Sequence, residues 1–574
     1  MLVRRSLVLV VGAAFAAAPI ALHVSAAPGA AADGGHSPAA AIVAAHVPAG
    51  GGGAGGGDVA VLDAGTLATL TVTTTADDGS VGSLRQVVQA QATTGGGDSV
   101  VLAAGMTYVL TCAQGGDLDH GNTPLELVGN GATITMESSC EEGILDNGTG
   151  ALVIRDVDFT GLDLTPTSAL AAIVETGGPF TLIGGRVTDN RVDSGVHALN
   201  GFFFKSSAAP GTVVVEGTVF ARNSRDTGSD CGLFCVVGDV ELHGVQISDT
   251  TVLDTQSGCG GILCVSGDVE LLDSTVTATA NTGTSHCGGI ACLAGDLTVT
   301  RTAIAGTSST QTGTGGVCGG ILCSNGALTM TDSSVTGTSA ADLAAEDCGG
   351  GFACADGPVS LLRSTVSGSR VVLTPGGGDN DCGSMVCADG ALSVVNSTVA
   401  DNTTTGGGLM PASFAAGGPV ELVYATFVGN SGSGLPALGP FDVESVDVTV
   451  FGSVLAASGA GGTCGPDLSV VSQGYSFADE TSCDLVGPGD RQAAGANPGL
   501  GALADHGGPG PTMLPGTGSP LVDGVAAAAC QSDGAAAITT DERSLPRPST
   551  ISPSCDIGAV EVQSVPVLEP SFTG

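Results

Sequence analysis

A column of glycines that returns about every thirty residues constrains the fold of this chain more than any other feature. Successive members stand 27 to 33 residues apart, and each begins the pattern Gly, any residue, apolar, any residue, apolar. A second short run rich in Ser, Thr and Val follows in most repeats, as in Ser274-Thr-Val276. Alternation within segments and a longer period between them predict short β-strands stacked coil upon coil. The column consists of Gly150, Gly178, Gly211, Gly238, Gly267, Gly295, Gly326, Gly357, Gly390 and Gly418.

Two other repeat architectures fit the sequence less well. Helical repeats need apolar stripes with a period of 3.6, whereas these segments are rich in Thr, Ser, Val and Gly, which disfavour helix. Propeller blades are about 40 residues long and usually carry aromatic signatures, but the chain has no Trp and three Tyr. The predicted fold is therefore all-β, a right-handed parallel β-helix (solenoid).

The N-terminus has the pattern of an export signal. Arg4 and Arg5 precede an apolar run over residues 7–22, and small residues follow, so cleavage is expected after Ala26 or Ala27. No later segment has the length and hydropathy of a membrane span. We therefore expect a secreted or cell-surface protein that is not inserted in the membrane after signal cleavage.

Both ends of a stack of strands need covering, because open edges invite aggregation. Ser83 and Gln86 form a capping-box pattern, and Leu84, Val87 and Val88 share one helical face, which predicts a short helix over the first coil. The C-terminal cap is expected to start near Cys464, where the glycine column has stopped. The predicted divisions are a signal peptide (1–26), an Ala/Gly-rich disordered linker (27–66), the β-helix with its N-terminal cap (67–463), a loop-rich C-terminal cap (464–561) and a tail (562–574).

The charge balance excludes some partners. The net charge is −41 and Lys205 is the single lysine, so phosphate backbones and anionic membranes are repelled. Neutral sugars, cationic partners and Ca²⁺ are compatible with this charge. No cofactor is predicted, and the weak candidate for Ca²⁺ is the loop with Asp379 and Asp381, whose alternative is a solvated acidic loop.

The cysteines of an exported chain are expected to form disulfides. Six consecutive repeats carry a pair whose second member stands three residues before the column glycine, while the first member varies. Bonds within each repeat are favoured, and bonds between stacked neighbours are the alternative. Zinc is disfavoured, because the spacing is wider than Cys-x₂-Cys and varies. The repeat pairs are Cys231/Cys235, Cys259/Cys264, Cys287/Cys292, Cys318/Cys323, Cys348/Cys354 and Cys382/Cys387; proximity suggests Cys112/Cys140, Cys464/Cys483 and Cys530/Cys555.

Several segments resemble known families of exported β-helix proteins. The Ser83-Leu84-Arg85 segment resembles the start of bacterial secreted right-handed β-helix proteins, although Gly82 stands where those often have Cys. Repeated Gly-Gly-Ile and Phe-x-x-Asn elements are similar to the repeats of polymorphic outer-membrane proteins. The C-terminal part resembles the choice-of-anchor Q domain, which implies an exported β-helix held by varying anchors and carries no catalytic role. The C-terminal motifs are Asn497–Pro509, Gly518–Asp523, Asp541-Glu542-Arg543, Pro546-Arg547-Pro548 and Cys555–Glu561.

No catalytic residue is predicted. The chain lacks Gly-x-Ser-x-Gly, His-Glu-x-x-His and phosphate-loop motifs, and Arg155, Arg301 and Arg363 are interpreted as surface charges at equivalent positions. We expect a non-enzymatic structural or adhesive protein that contacts extracellular glycans or surface proteins through loops 371–381 and 403–416. The second hypothesis is a polysaccharide lyase or hydrolase. A concave groove lined by three or more carboxylates, or a carboxylate–arginine cluster, would favour the enzyme, whereas a smooth Thr/Ser face without convergent polar groups would favour the structural role.

Overall fold

A computed structural model of the chain places most of the residues beyond position 67. No described helix is long and apolar enough to cross a membrane. The predicted signal peptide and linker, the first cysteine of every repeat pair and the Asp379 loop lie outside the described residues. Those described are 68–93, 99–138, 140, 143–146, 148–164, 173–193, 202–205, 211–226, 232–254, 263–283, 291–293, 295–311, 322–324, 326–342, 353–373, 386–405, 414–432, 436–440, 445–456, 459, 461–530 and 538–563.

Each coil of the structure carries up to four short strands, and every strand pairs in parallel with its equivalents in the coils before and after. One coil contains strands Val240–His243, Gln246–Ser248, Thr251–Asp254 and Leu263–Val265. We call the resulting columns the first, second, third and fourth ladders. The structure thus confirms an all-β parallel solenoid.

Twenty-eight strands form one sheet that contains the first and second ladders, with β5 and β7 running through both. The first ladder comprises β1 Thr69–Thr71, β2 Ser99–Val101, β5 Leu125–Met136, β7 Leu152–Thr160, β10 Phe180–Ile183, β14 Val213–Glu216, β18 Val240–His243, β22 Val269–Leu272, β26 Leu297–Thr300, β30 Leu328–Thr331, β34 Val359–Leu362, β38 Leu392–Val395, β42 Val420–Val423, β45 Val446–Phe451 and β47 Leu468–Gly474. The second ladder adds β3 Thr107–Leu110, β11 Arg186–Thr188, β15 Val219–Ala221, β19 Gln246–Ser248, β23 Thr275–Thr277, β27 Ala303–Ala305, β31 Ser334–Thr336, β35 Thr365–Ser367, β39 Thr398–Ala400, β43 Thr426–Val428, β46 Val454–Ala456, β48 Phe477–Ala478 and β49 Arg491–Gln492.

The third and fourth ladders form sheets of nine and twelve described strands. The third ladder comprises β8 Asp163–Leu164, β12 Arg191–Asp193, β16 Ser224–Asp226, β20 Thr251–Asp254, β24 Ala280–Gly283, β28 Ser308–Gln311, β32 Ser339–Asp342, β36 Arg370–Leu373 and β40 Thr403–Thr405. The fourth comprises β4 Leu118–Asp119, β6 Leu145–Asp146, β9 Val174–Thr176, β13 Phe203–Lys205, β17 Phe234–Val236, β21 Leu263–Val265, β25 Ala291–Leu293, β29 Leu322–Ser324, β33 Ala353–Ala355, β37 Val386–Ala388, β41 Phe414–Ala416 and β44 Leu438–Pro440.

The period-two pattern decides which side chains enter the core. Val240 and Leu242 of β18 are buried, while Glu241 and His243 between and after them are partly exposed. The same alternation in neighbouring coils builds one apolar core that extends from Val72 to Leu485. Because the core runs inside the coils, the alternate positions of the first ladder present a continuous outer face.

The corner glycines lie on one axis, as the sequence predicts. A Cβ on Gly267 would lie 2.6 Å from the backbone of Gly238, and a Cβ on Gly295 would lie 2.7 Å from that of Gly267. Gly326 and Gly357 continue the column in the same way. The repeated glycine therefore answers a steric need, since the coils touch backbone to backbone at this corner.

The predicted N-terminal helix is α1, Leu84–Thr93. Ser83 Oγ accepts a hydrogen bond from the Gln86 N–H at 3.3 Å, as in a capping box. Leu84, Val87 and Val88 are buried in the solenoid core. The helix therefore covers apolar side chains of the first coils.

The C-terminal part has two structural roles. Strands β47 to β49 extend the large sheet. The segment that we call the C-terminal arm, residues 493–530 and 538–563, instead lies against the outside of the second ladder. A separate apolar cluster joins arm and solenoid, and it includes Tyr424, Phe451, Leu521, Val525 and Ile557.

Candidate functional site

Two carboxylates lie in register on the outer face of the first ladder. Glu241 of β18 is the direct partner of Glu270 of β22. Their next neighbours in the ladder are Val214 and Thr298. Adjacent strands lie about 4.8 Å apart, so the two glutamates stand one rung apart on a partly exposed face.

A histidine flanks this pair. His243 lies in register with Glu216 of the preceding coil, and its Nε2 is 3.9 Å from Glu241 Oε2. The side chains of His243 and Glu241 retain 29% and 21% of their exposure. Both side chains are therefore partly exposed on the face, although the Nε2 atom of His243 is itself buried.

An arginine–aspartate pair completes the cluster. Arg301 Nε and Nη2 donate to Asp273 Oδ1 and Oδ2 at 2.6 and 2.8 Å. This pairing lowers the pKa of Asp273, and the charge of His243 acts in the same direction. Arg301 also interacts electrostatically with Glu270. Both partners are about half exposed, so this pair adds little stability.

The surroundings of Glu241 favour its protonated form. Partial burial is the largest cause that raises the pKa of Glu241, and His243 opposes it. The negative charges of Glu270, Asp239 and Glu216 raise the pKa further. A carboxyl whose surroundings favour the protonated form is suited to act as a general acid.

A row of aspartates borders the glutamates. Asp239 Oδ1 accepts the backbone N–H of Asp268 at 3.0 Å, and Asp268 Oδ1 accepts that of Asp296 at 2.8 Å. Asp296 accepts the N–H of Ala327 at 2.7 Å. The exposed row ties consecutive coils together and makes the potential over the face negative.

The C-terminal arm bounds the open part of the large sheet. Thr275, on the outer face of the second ladder, is exposed, whereas Thr365 and Thr398 at the same strand position farther along the stack are fully buried. Gly510 of the arm approaches so closely that a Cβ would lie 2.4 Å from Thr365 Oγ1. The cluster around Glu241 therefore lies on the uncovered part.

The second cysteine of each repeat pair has the fixed position that the sequence indicates. These six residues occupy the middle of consecutive fourth-ladder strands and are direct ladder partners. Cys235 is disulfide-bonded, and the first cysteines of the pairs are outside the described residues, so bonding within each repeat stays a prediction. The six are Cys235, Cys264, Cys292, Cys323, Cys354 and Cys387.

Three further disulfides join the cysteines that proximity suggested. Cα–Cα separations are 5.1 Å for Cys112–Cys140, 5.0 Å for Cys464–Cys483 and 5.5 Å for Cys530–Cys555. Within the described residues, one group of three ligand-type side chains is close enough to hold a metal, namely Cys112, Glu137 and Cys140. Its two sulfurs are bonded to each other, which removes them as thiolate ligands.

The three arginines are not equivalent, contrary to the sequence interpretation. Arg301 and Arg363 occupy left-handed turns after first-ladder strands, with φ of 46° each, and pair with aspartates one coil back. Arg155 lies one position earlier, within β7, and pairs with Glu126. Asp156 occupies the left-handed turn position of that coil, with φ of 50°, so Arg155 stands one residue before the turn.

Sequence reasoning missed the residues of the cluster, although a signal for the glutamates was present. Gly-Asp-Val-Glu-Leu stands at both Gly238 and Gly267. Because the column glycine fixes the register, equal offsets in successive repeats place Glu241 and Glu270 one above the other. The histidine and the Asp273–Arg301 pair carry no comparable repeat.

Comparison with known proteins adds two similar structures. No family model matches the chain, so the resemblances to choice-of-anchor Q and polymorphic outer-membrane proteins gain no support, and no curated protein matches either. An endo-xylogalacturonan hydrolase from Aspergillus tubingensis is 12% identical with a TM-score of 0.23, covering 71% of this chain and 98% of its own. A double-mutant tailspike protein of E. coli bacteriophage HK620, in complex with a pentasaccharide, is 12% identical with a TM-score of 0.25, covering 71% and 74%.

The expectation that this chain is not an enzyme is corrected by the first of these structures, which is a hydrolase. The cluster of Glu241, Glu270 and Arg301 on the open face has the carboxylate and arginine side chains that the enzyme hypothesis calls for. Neither match, at this identity and TM-score, assigns an activity or a residue role to this chain.

Proposed function

We propose that the open outer face of the first ladder binds a polysaccharide and hydrolyses its glycosidic bonds, with Glu241 as the proton donor and Glu270 as the second carboxylate. The observation that carries this proposal is the in-register pair of glutamates, one of which has a raised pKa. Glycoside hydrolysis requires a pair of carboxyl groups, one of which gives a proton to the leaving oxygen.

The spacing of the pair favours a double displacement. Retaining glycosidases hold their carboxyl groups about 5 Å apart, and adjacent rungs are separated by about 4.8 Å. Glu241 gives its proton to the leaving oxygen as the Glu270 carboxylate bonds to the anomeric carbon. Glu241 then takes a proton from water, whose oxygen displaces Glu270, so the sugar is released and both carboxyl groups return to their starting states.

The charge around the site indicates the class of substrate. Asp239, Asp268 and Glu216 border the glutamates, and a polymer of uronic acids would be repelled by them. Neutral polysaccharides and polymers that carry amino groups are compatible with this potential. Polymers of both classes occur in extracellular matrices and cell walls, where a protein exported by the predicted signal would meet them.

The test measures release of reducing ends from a panel of neutral, amino-bearing and uronic polysaccharides by the full chain. Glu241→Gln and Glu270→Gln are each expected to lower the rate at least about a hundredfold, the usual scale of an acid–base group. Glu421→Gln is the matched control, because Glu421 occupies the same ladder column with Ser393 and Thr449 as neighbours.

The pH profile supplies a second readout. Activity is expected to fall on the alkaline side as Glu241 loses its proton. Because the Glu216 charge raises the pKa of Glu241, Glu216→Gln is expected to move this alkaline limb to lower pH. The proposal is wrong if no polysaccharide is cleaved, or if Glu421→Gln lowers activity as much as Glu241→Gln does.

A further inference from the structure

A row of threonine hydroxyls fastens the C-terminal arm to the solenoid. Thr365, Thr398 and Thr426 are ladder partners on the outer face of the second ladder, and all three are buried. Thr365 Oγ1 donates to the carbonyl of Pro511 at 3.1 Å, and Thr426 Oγ1 accepts the N–H of Ala559 at 2.9 Å. The contact is therefore polar and specific in register.

Glu542 of the arm lies at the centre of this contact. Its side chain is fully buried. Oε1 lies 2.7 Å from Thr365 Oγ1, which accepts the carboxyl proton in the neutral acid, and Oε2 accepts a hydrogen bond from Thr398 Oγ1. Its backbone N–H donates to the carbonyl of Ala559 at 2.9 Å. A solvent-free carboxyl thus sits between two hydroxyls at an interface that the rest of the solenoid does not need for its own pairing.

The nearby cations are engaged by other acids. Arg543 pairs with Asp541 at 2.6 Å, and Arg547 approaches Glu561 at 3.5 Å while its guanidinium stacks 4.1 Å over the Tyr424 ring. Among the described residues, the contacts of the Glu542 carboxyl are to hydroxyls and to no cation. Asp541, next in the chain, adds a repelling charge. These surroundings disfavour an ionised Glu542.

We propose that the C-terminal arm is a pH-dependent clamp that is closed over the second ladder while the Glu542 carboxyl is neutral and opens as that carboxyl ionises. The hydrogen bonds of the threonine row hold the arm in the closed position. The closed arm is sensitive to pH because, among the described residues, no cation pairs with the Glu542 carboxyl. The Cys530–Cys555 disulfide lies within the arm, so opening leaves the arm cross-linked and the solenoid stacked.

The direction of the response follows from the titration. Burial raises the pKa of Glu542 from 4.5 to about 8 against the opposing hydroxyls of Thr398 and Thr365. Burial also raises the pKa of Glu561 to about 7, with Arg547 opposing and Asp556 adding to it. Both groups bind protons more tightly in the closed arm. The clamp is therefore firmest near pH 4.5, weakens as the pH rises to about 8, and changes little above that.

Hydrogen exchange of the full chain tests this clamp between pH 5 and 9.5, after correction for the intrinsic exchange rate. The amides of Gly558 and Ala559 bond across the interface, to Gly452 and Thr426, and they report opening. Between pH 6 and pH 8 their opening equilibrium is expected to rise at least about a hundredfold, since one proton changes it about tenfold per pH unit. The strands β26 and β30 of the solenoid are expected to keep their protection.

Glu542→Gln keeps the shape of the side chain and removes its titration. In this variant the rise between pH 6 and pH 8 is expected to be at most about tenfold, the share left to Glu561. Glu421→Gln, an exposed glutamate on the large sheet, is expected to behave as the unmodified chain does. If Glu542→Gln does not fold, Thr398→Val removes one hydroxyl from the carboxyl and is expected to increase opening at pH 9 more than at pH 5.

Three results would overturn the clamp. They are arm amides whose protection does not change with pH, solenoid strands that lose protection together with the arm, and a Glu542→Gln variant whose pH response equals that of the unmodified chain. None of them depends on whether a polysaccharide is cleaved, so this inference and the proposed function fail separately.

Discussion

The corner glycines from Gly267 to Gly418 stand where the backbone of one coil touches that of the next. A Cβ at Gly326 would lie 2.9 Å from the Gly295 backbone, a distance that nonbonded carbon and oxygen atoms do not reach without displacement. Other glycines of the solenoid are there for conformation instead. Gly306 has a φ of 61° and nothing within 4 Å of a built Cβ, and Asp or Arg occupies the same turn position in earlier coils, as at Asp249 and Arg222.

Substitution distinguishes these two uses of glycine. Gly267→Ala is expected to lower the free energy of unfolding by about 1–3 kcal/mol, because the methyl group would force two coils apart. Gly306→Asp is expected to change it by less than about 1 kcal/mol, since aspartate tolerates the left-handed region. Urea unfolding followed by circular dichroism measures both. If both variants lost the same free energy of unfolding, the backbone contact at the corner would not be what requires glycine there.

Side-chain amides and hydroxyls line the turn between the second and third ladders and bond across it near both ends of the stack. Asn402 Nδ2 donates to the carbonyl of Val366 and to Asn430 Oδ1, both at 2.9 Å, and its Oδ1 accepts the N–H of Ser369 at 3.0 Å. Asn190 and Asn223 repeat the arrangement nearer the N-terminus. The row satisfies backbone groups that the turn buries between coils.

Asn402→Ala tests this row. The change leaves the N–H of Ser369 and the carbonyl of Val366 buried without their partner, and it is expected to cost about 1–3 kcal/mol. Asn402→Ser is expected to recover part of the loss, because the preceding coil has Ser369 at the same position and its hydroxyl bonds locally. Chemical denaturation of both variants measures the difference. A serine variant no more stable than the alanine variant would mean that amide volume, and not hydrogen bonding, matters at this turn.

The elements of this fold differ in how far the sequence predicts them. The glycine column and the alternating pattern predict the strands and their register, because both arise from contacts between neighbouring coils. The sequence shows the Phe-x-x-Asn pattern at Asn223 and Asn430. It does not show the hydrogen bonds that these side chains make across the turn, because their partners lie in another coil. The path of the arm could not be predicted, since the contacts of Thr365 with Pro511 and Glu542 join positions 146 and 177 residues apart and follow no period.

The excess negative charge lies in the part of the chain that contains the solenoid and its arm. Residues 1–58 contain two Arg and two Asp, so the net charge of −41 belongs to residues 59–574. Part of it is stacked in rows, with Asp239 and Asp268 in one and Glu241 and Glu270 in the next. Like charges one rung apart repel across about 5 Å, within the Debye length of about 10 Å at 0.1 M salt. The stack that brings the proposed catalytic carboxylates together therefore also carries a cost in stability.

Salt is expected to relieve this repulsion. The Debye length falls to about 3 Å at 1 M ionic strength, so the free energy of unfolding in urea is expected to be higher in 1 M than in 0.05 M sodium chloride. At alkaline pH, where Glu241 has lost the proton that it gives in catalysis, Glu270→Gln is expected to stabilise the chain by up to about 1 kcal/mol at low salt, the usual scale for like charges directly opposite in a sheet, and by less at high salt.

The same face offers the control for this prediction. Glu421 has Ser393 and Thr449 as ladder partners, so Glu421→Gln removes one negative charge without relieving a stacked pair. It is expected to leave stability and its salt dependence nearly unchanged. If Glu421→Gln stabilises the chain as much as Glu270→Gln does, the repulsion belongs to the diffuse charge of the whole surface and not to the pair. If neither variant nor salt has an effect at that pH, repulsion between the stacked carboxylates does not lower the stability of the folded chain.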